Sequence, residues 1–144
     1  MAFALALVAC EPGFFVADFT DKHGYNQVSE AIIGCAFEVA NTLGRGFVEN
    51  IYANALAKEI AGQALEVRRE FPVKVHYKGD LVGDFFCDLL IEGKIIVEVK
   101  ATSGLNNLQL TQCLNYLKAT GFKLCLLINF GAASVQVKRV VNNF

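Results

Sequence analysis

Apolar residues recur at helical spacing in the first regular part of the chain. Between residues 27 and 43 they stand three or four positions apart, at Val28, Ile32, Cys35, Ala36, Val39 and Leu43. This spacing is typical of an amphipathic helix, and Gly44 follows where a glycine commonly ends one. A second helix is predicted over about 47–61, which is rich in good helix formers and is followed by Gly62.

The pattern then changes to β-branched and aromatic residues, which favour strands. Strands are predicted over 65–77, 81–91 and 94–101, with turns at 78–80 and 92–94. Pro72 lacks a backbone N–H, so it indicates an edge strand or a bulge.

The last third of the chain predicts one more helix and two more strands. The helix runs over 105–119 and ends at Gly121, with a buried stripe of Leu110, Cys113, Leu114 and Leu117. The uninterrupted apolar run 124–130 is typical of a strand covered on both faces, and residues 135–141 form the final strand. This order of elements predicts an α/β fold.

Composition narrows the class of protein. The 144 residues suit one domain, and a hydrophobic fraction of 54% excludes a disordered chain. The net charge of −1 argues against a protein that coats nucleic acid nonspecifically, since phosphate contacts come from Lys and Arg. It is compatible with an enzyme that touches nucleic acid transiently.

The five cysteines include no C-x-x-C pair, and four of them lie in apolar patterns. Buried, reduced thiols and a cytoplasmic location are therefore predicted. The first ten residues, MAFALALVAC, end like a lipoprotein cleavage box but lack a basic start, so we expect a strand-like or disordered extension, or a start codon further upstream. No stretch is apolar for long enough to predict a membrane span.

The mostly apolar stretch 84–101 carries Asp88, Glu98 and Lys100 inside its strand patterns. Glu98 and Lys100 are two apart on a strand and therefore share a face. If the loop at 92–94 has three residues, Ile91 pairs with Ile95 and Asp88 lies opposite Glu98. A two-residue loop would place Asp88 on the other face, so a shared site demands a loop of three residues or of five.

Two adjacent carboxylates repel each other, and a divalent cation such as Mg²⁺ would offset both charges. With Lys100 positioning or deprotonating a water molecule, Asp88 and Glu98 suit metal-dependent phosphodiester hydrolysis. The alternative is an exposed cross-strand ion pair without a catalytic role.

Two helices carry further candidate residues. Gln112 and Tyr116 are four apart on one helix face, where they could bond the lysine or a phosphate, or simply flank the helix. Glu49 lies in the first turn of a helix, which favours a carboxylate; alternatively it joins the metal site, with Tyr52 on the same face. The basic stretch of Arg68, Arg69, Lys74 and Lys78 is either a solvated strand face or a guide for a phosphate backbone.

Together these motifs resemble a known family. Gly46, Glu49 and Tyr52 carry a G-x-x-E-x-x-Y signature, followed by D…E-x-K and by the segments TQCLNYLKATG and LLINFG. The chain resembles the GxxExxY proteins of the PD-(D/E)XK nuclease superfamily over about residues 28–141. Residues 1–26 are expected to be an extension, and 27–144 a nuclease-like domain.

The resemblance implies a restriction-endonuclease-like core, a mixed sheet of about five strands flanked by three helices. It implies that Asp88, Glu98 and the carbonyl of Val99 bind Mg²⁺, or Mn²⁺, and that Lys100 is catalytic. Glu49 matches the acidic residue on the preceding helix, and Gln112 and Tyr116 match a Q-x-x-x-Y pattern. Many relatives carry a histidine where this chain has Ala40, so a role for that histidine is not expected here.

The implied function is a Mg²⁺-dependent nuclease that acts on nucleic acid, DNA more than RNA, as a monomer or a homodimer. A second hypothesis is a nuclease-fold module that binds nucleic acid or a protein partner without cutting. A third is an enzyme for another phosphate substrate, or a purely structural charge cluster.

Overall fold

Three helices lie within residues 24–142, the part of the chain that the computed structural model describes. They are α1 (Tyr25–Leu43), α2 (Glu49–Ala61) and α3 (Asn107–Thr120). All three predicted helices are confirmed, although α2 and α3 begin two residues later than predicted. The predicted N-terminal extension, its cleavage-box motif and Cys10 lie almost wholly outside the described residues.

The late start of α3 has a clear cause in its first turn. The Asn106 side chain accepts a hydrogen bond from the Gln109 N–H at 3.0 Å, and the Gln109 side chain accepts one from the Asn106 N–H at 2.9 Å. This reciprocal capping satisfies two backbone donors that a helix start otherwise leaves unpaired. At the other end, Gly121 adopts φ 80°, as the sequence predicts for the residue that ends a helix.

The described strands form one five-stranded sheet in the order β1-β2-β3-β4-β5. Their bounds are β1 (Val67–Tyr77), β2 (Asp80–Ile91), β3 (Ile95–Lys100), β4 (Leu124–Asn129) and β5 (Gln136–Val141). β3 and β4 are parallel, because α3 connects them, and the other neighbours are antiparallel. The predicted α/β fold with a mixed sheet is confirmed.

Helices cover both faces of the sheet and create two cores. α1 and α2 pack on one face and form the first core, while α3 packs on the other face and forms the second core. β4 shows why its apolar run is continuous: Leu126 and Ile128 enter the first core, and Cys125 and Leu127 enter the second. The prediction of a strand covered on both faces is confirmed, and Cys35, Cys87, Cys113 and Cys125 are buried free thiols.

The connection between α1 and α2 is fixed by Tyr52. Its ring is fully buried and stacks on Phe130, with centroids 4.7 Å apart. Its hydroxyl donates to the Gly44 carbonyl at 2.5 Å and accepts from the Phe47 N–H at 3.3 Å. Tyr52 thus belongs to the first core, whereas Glu49, three residues earlier on the same helix, is exposed.

β1 and the outer part of β2 extend beyond the rest of the sheet. β2 pairs with β3 only from Leu89 to Ile91, whereas it pairs with β1 along most of its length. Pro72 lies on β1, an edge strand, as predicted, and the register shifts between Val75 and His76. No helix within residues 24–142 combines the length and the apolar character that crossing a membrane requires.

Candidate active site

The β2–β3 loop has the length that the predicted site demands. Ile91 pairs with Ile95, so three residues, 92–94, form the turn. Glu92 and Gly93 both adopt positive φ, at 54° and 65°, and Glu92 must accept a conformation that glycine adopts more easily. The three-residue loop that the sequence required is confirmed.

Strand pairing stops where the carboxylates begin. The last backbone pair is Leu89 with Val97. Beyond it, hydrogen bonds from backbone N–H groups to the side chains of Asp88 and Glu98 join the two strands. Glu98 Oε1 accepts a hydrogen bond from the Asp88 N–H at 3.0 Å, and Asp88 Oδ2 accepts one from the Val99 N–H at 2.7 Å. Each carboxylate thus bridges to the backbone of the other strand.

The alternation of β2 is interrupted at the same place. Cys87 and Leu90 are three residues apart, yet both pack in the second core, whereas strict alternation would place them on opposite faces. Glu70, which faces this point on β1, adopts φ 51°, and it has no partner in the register although its neighbours Arg69 and Phe71 are paired with Leu89 and Cys87. The local distortion directs Asp88 toward β3.

Burial sets the electrostatics of the pair. It raises the pKa of Glu98 to about 8, with the negative charge of Asp88 as the next cause. Burial likewise raises the pKa of Asp88 above its usual value, against the hydrogen bond from Val99, which lowers it. A site that penalises two adjacent negative charges in this way favours a positive partner.

Three charged neighbours surround the pair. The ammonium of Lys100, half-buried, lowers the pKa of both carboxyls, and the carboxylate of Glu49 raises both. Arg69 lowers the pKa of Asp88 from β1 and donates a hydrogen bond to Asn54 on α2. Sequence reasoning treated Arg69 only as part of a basic stretch, because nothing in the pattern links β1 to Asp88.

α3 brings Tyr116 to the site and keeps Gln112 nearby. Burial, followed by the charge of Glu98, raises the pKa of the Tyr116 hydroxyl well above its usual value. Gln112 is exposed and lines the same recess as Tyr116, so the two share a face as predicted.

Asn129 is a positioning residue that the sequence did not reveal. It is fully buried at the end of β4. Its Oδ1 accepts hydrogen bonds from the N–H groups of Thr102 and Gly131 at 2.9 and 3.0 Å, and its Nδ2 donates to the Thr102 carbonyl at 3.0 Å. These bonds hold the chain directly after Lys100.

A scan against protein families places the chain in a known group. A family model described as the PD-(D/E)XK nuclease superfamily matches residues 26–140. The chain belongs to the PD-(D/E)XK nuclease superfamily. Searches of curated proteins and of solved structures find no significant match.

The mixed five-stranded sheet with its three helices is consistent with the restriction-endonuclease-like core of this superfamily. Nuclease-type hydrolysis is the function that the superfamily suggests, with nucleic acid as the implied substrate. PD-(D/E)XK nucleases generally use divalent metal ions.

The residues present fit a hard divalent cation. One oxygen of each carboxylate is bound to backbone, while Asp88 Oδ1 and Glu98 Oε2 make no hydrogen bond within the described part of the chain. Among residues 24–142 no three carboxylate, histidine or cysteine side chains converge, so Glu49 stands apart from the pair. Mg²⁺ commonly takes one or two carboxylates and keeps several waters, so two suffice.

Proposed function

We propose that this protein is a Mg²⁺-dependent nuclease that hydrolyses phosphodiester bonds of nucleic acid, DNA in preference to RNA. The observation that carries the proposal is the pair of the buried Glu98 and the half-buried Asp88, held by the backbone of the opposite strand with one oxygen of each left for a ligand. Burial and mutual repulsion raise the pKa of both carboxyls, and a bound cation would relieve that cost.

In this proposal Asp88, Glu98 and the carbonyl of Val99 hold Mg²⁺, or Mn²⁺ in its place. The ion would polarise a phosphoryl oxygen and lower the pKa of a bound water. Lys100 would orient the attacking water and offset negative charge on the phosphate; its charge, which already acts on both carboxyls, supports this role.

Three further residues have supporting roles in the proposal. Glu49, exposed at the start of α2, would contact metal-bound water rather than the ion, because it stands apart from the pair. Tyr116 and Gln112 would contact the substrate from α3. With Gly46 and Tyr52, Glu49 also supports assignment to the GxxExxY group, in which Tyr52 has a structural role.

The test is a cleavage assay on single- and double-stranded DNA and RNA, with Mg²⁺, Mn²⁺ or EDTA. The isosteric variants Asp88→Asn and Glu98→Gln keep an oxygen that can accept the backbone hydrogen bond, so they remove charge without breaking the strand junction. Each is expected to reduce cleavage by a factor of at least about 100, as is Lys100→Met.

Matched controls lie on the same hairpin. Asp80→Asn changes an exposed carboxylate on β2, and Lys78→Met changes an exposed lysine in the β1–β2 turn. Both should cleave like the wild type. Cleavage that persists in EDTA, or in Asp88→Asn at the wild-type rate, would contradict the proposal.

A second candidate is a module that docks on a partner without cutting. The observation that favours it is a set of exposed apolar side chains on the extended β1–β2 hairpin, at Val75, Tyr77, Leu81, Val82 and Phe86. Surfaces of this kind commonly serve association, including a homodimer. Light scattering combined with the cleavage assay separates the candidates: an inactive oligomer supports docking, and an active monomer excludes it.

A cytoplasmic location also belongs to the proposal. It rests on the four buried free thiols, which suit a reducing compartment.

A further inference from the structure

A recess of about 600 Å³ lies between α3 and the outer parts of β1 and β2. Two aromatic rings, Phe85 and Tyr116, form part of its wall, with centroids 4.4 Å apart. Both rings are half-buried and pack against the second core. The recess therefore presents an aromatic surface whose position is fixed by the fold.

The recess adjoins the carboxylate site. Phe85 is three residues before Asp88 on β2, and Tyr116 packs against the cluster that contains Ile96, two residues before Glu98. The charge of Glu98 also acts on the Tyr116 hydroxyl. A polymer bound at the carboxylates therefore has this recess as its immediate neighbour.

The recess is lined by basic residues, although the protein as a whole is slightly acidic. Lys74, His76 and Lys118 line it, and none of the described residues that line it is acidic, although the whole chain has a net charge of −1. Gln112 and Asn115 add amide groups that can both donate and accept hydrogen bonds. Cations beside aromatic rings are the combination that binds single-stranded nucleic acid.

The size and the rings of the recess select against a double helix. Its volume lies in the range of sites that enclose small ligands, about 300–1,000 Å³. A protein ring stacks on a base only where the face of that base is exposed, and inside a duplex both faces are covered by neighbouring bases. The recess thus suits one or two unpaired nucleotides.

We propose that the recess formed by Phe85, Tyr116 and the surrounding basic residues binds an unpaired nucleotide beside the phosphodiester that is cleaved. The substrate is therefore single-stranded nucleic acid, or the single-stranded part of a longer molecule. This inference rests on the proposed nuclease function for its placement beside a scissile bond, and it adds the strandedness of the substrate.

The experiment measures binding apart from cleavage. Fluorescence anisotropy in EDTA compares a short single-stranded DNA with the blunt duplex of the same sequence, using the full chain. The wild type is expected to prefer the single strand. Phe85→Leu keeps an apolar side chain against the second core but removes the stacking face, and it should weaken single-strand binding about tenfold.

The neighbouring residue provides the matched control. Phe86 is exposed and does not line the recess, so Phe86→Leu makes the same chemical change outside it and should bind like the wild type. Circular dichroism and thermal unfolding confirm that both variants fold. A second test uses two surface residues: the Lys74→Ala/Lys118→Ala variant should lower the slope of log affinity against log salt by about 1.4, at about 0.7 per phosphate contact.

Each outcome decides one of the two claims. Equal or tighter binding of the duplex, or unchanged binding in Phe85→Leu, overturns the inference about the recess. Single-strand binding that depends on Phe85 supports it, even if the cleavage assay fails and the nuclease proposal is lost. Cleavage that requires Asp88 but proceeds equally on both DNA forms overturns the inference about the recess and supports the nuclease proposal.

Discussion

Each of the two central carboxylates uses one oxygen to join the two strands. Glu98 Oε1 and Asp88 Oδ2 accept backbone hydrogen bonds across the strands, and the second oxygen of each makes none within the described residues. Hydrogen bonds to an ionised acceptor stabilise by about 1.5–3 kcal/mol each. Burial opposes this gain, and the raised pKa values indicate that burial dominates.

The pKa of Glu98 predicts how the stability of the metal-free protein depends on pH. Its folded value of about 8 lies above the ordinary value of 4.5, so the folded state binds the proton more tightly than the unfolded state. Its contribution to stability is therefore complete below about pH 4.5 and is lost as the pH rises through 8, a change of about 4–5 kcal/mol. Denaturant unfolding in EDTA between pH 5 and pH 9 measures it.

Glu98→Gln should remove most of this slope, because the amide keeps the acceptor and has no titrating proton. Glu30→Gln changes an exposed carboxylate on α1 and should leave the slope as it is in the wild type. A Glu98→Gln variant with the wild-type pH dependence would show that another group controls it.

At the scale of the elements, hydrogen bonds from the end of β4 fix the position of the end of β3, where Lys100 lies. The Phe130 N–H donates to the Lys100 carbonyl at 2.8 Å, and Asn129 holds Thr102 two residues later. Gly131 approaches the backbone of Ala101 and Thr102 so closely that a side chain there would overlap it. The backbone that follows β3 is thus packed directly against a glycine.

Gly131→Ala should therefore displace the segment after Lys100. We expect loss of stability of about 1–3 kcal/mol from overpacking, and a larger proportional loss of cleavage, since small misplacements of a reacting group are costly. Thermal unfolding and single-turnover cleavage below the transition temperature measure the two effects separately.

Gly34→Ala is the matched control. Gly34 is exposed within α1, and an added Cβ meets no atom within 4 Å. This variant should gain about 0.5–1 kcal/mol from the better helix propensity of alanine, with unchanged cleavage. Equal behaviour of the two variants would remove the special role assigned to Gly131.

For the whole molecule, a cation at the carboxylates links binding to folding. A ligand that binds only the folded state at 100 times its Kd stabilises by about 2.7 kcal/mol. For a domain of this size Mg²⁺ should therefore raise Tm by about 10 °C.

The Mg²⁺-dependent shift in Tm should be absent in Asp88→Asn and retained in Asp80→Asn, as scanning calorimetry with increasing Mg²⁺ would measure. An equal shift in the two variants would place the cation elsewhere.

The sequence predicted most of this architecture because its main signals are local. Helical periodicity located α1 to α3, and strand alternation combined with one choice of loop length brought Asp88 opposite Glu98. Tyr52 shows a signal that was present but not used: with Leu56 and Ile60 it forms a four-residue repeat that belongs to the buried face of α2.

What the sequence could not predict depends on contacts between distant residues. Asn129 is the single polar residue of the predicted strand 124–130, and nothing in the strand pattern assigns it a partner, yet it binds a segment 27 residues earlier. Glu70 adopts a positive φ, although this conformation is typical of glycine and the sequence has no glycine there to predict it. Arg69 acts on Asp88 across a strand pair, and only the three-dimensional register brings them together.

The strand junction at Asp88 and Glu98 has a consequence for how such proteins lose activity during evolution. Because both side chains complete the sheet, selection for folding alone would retain an acceptor oxygen at each position after catalysis had gone, and an amide supplies one as well as an acid does. The Lys100 side chain makes no hydrogen bond within residues 24–142, so no comparable structural constraint protects it. Inactive descendants of this protein should therefore keep an acid or its amide at positions 88 and 98, while position 100 varies freely.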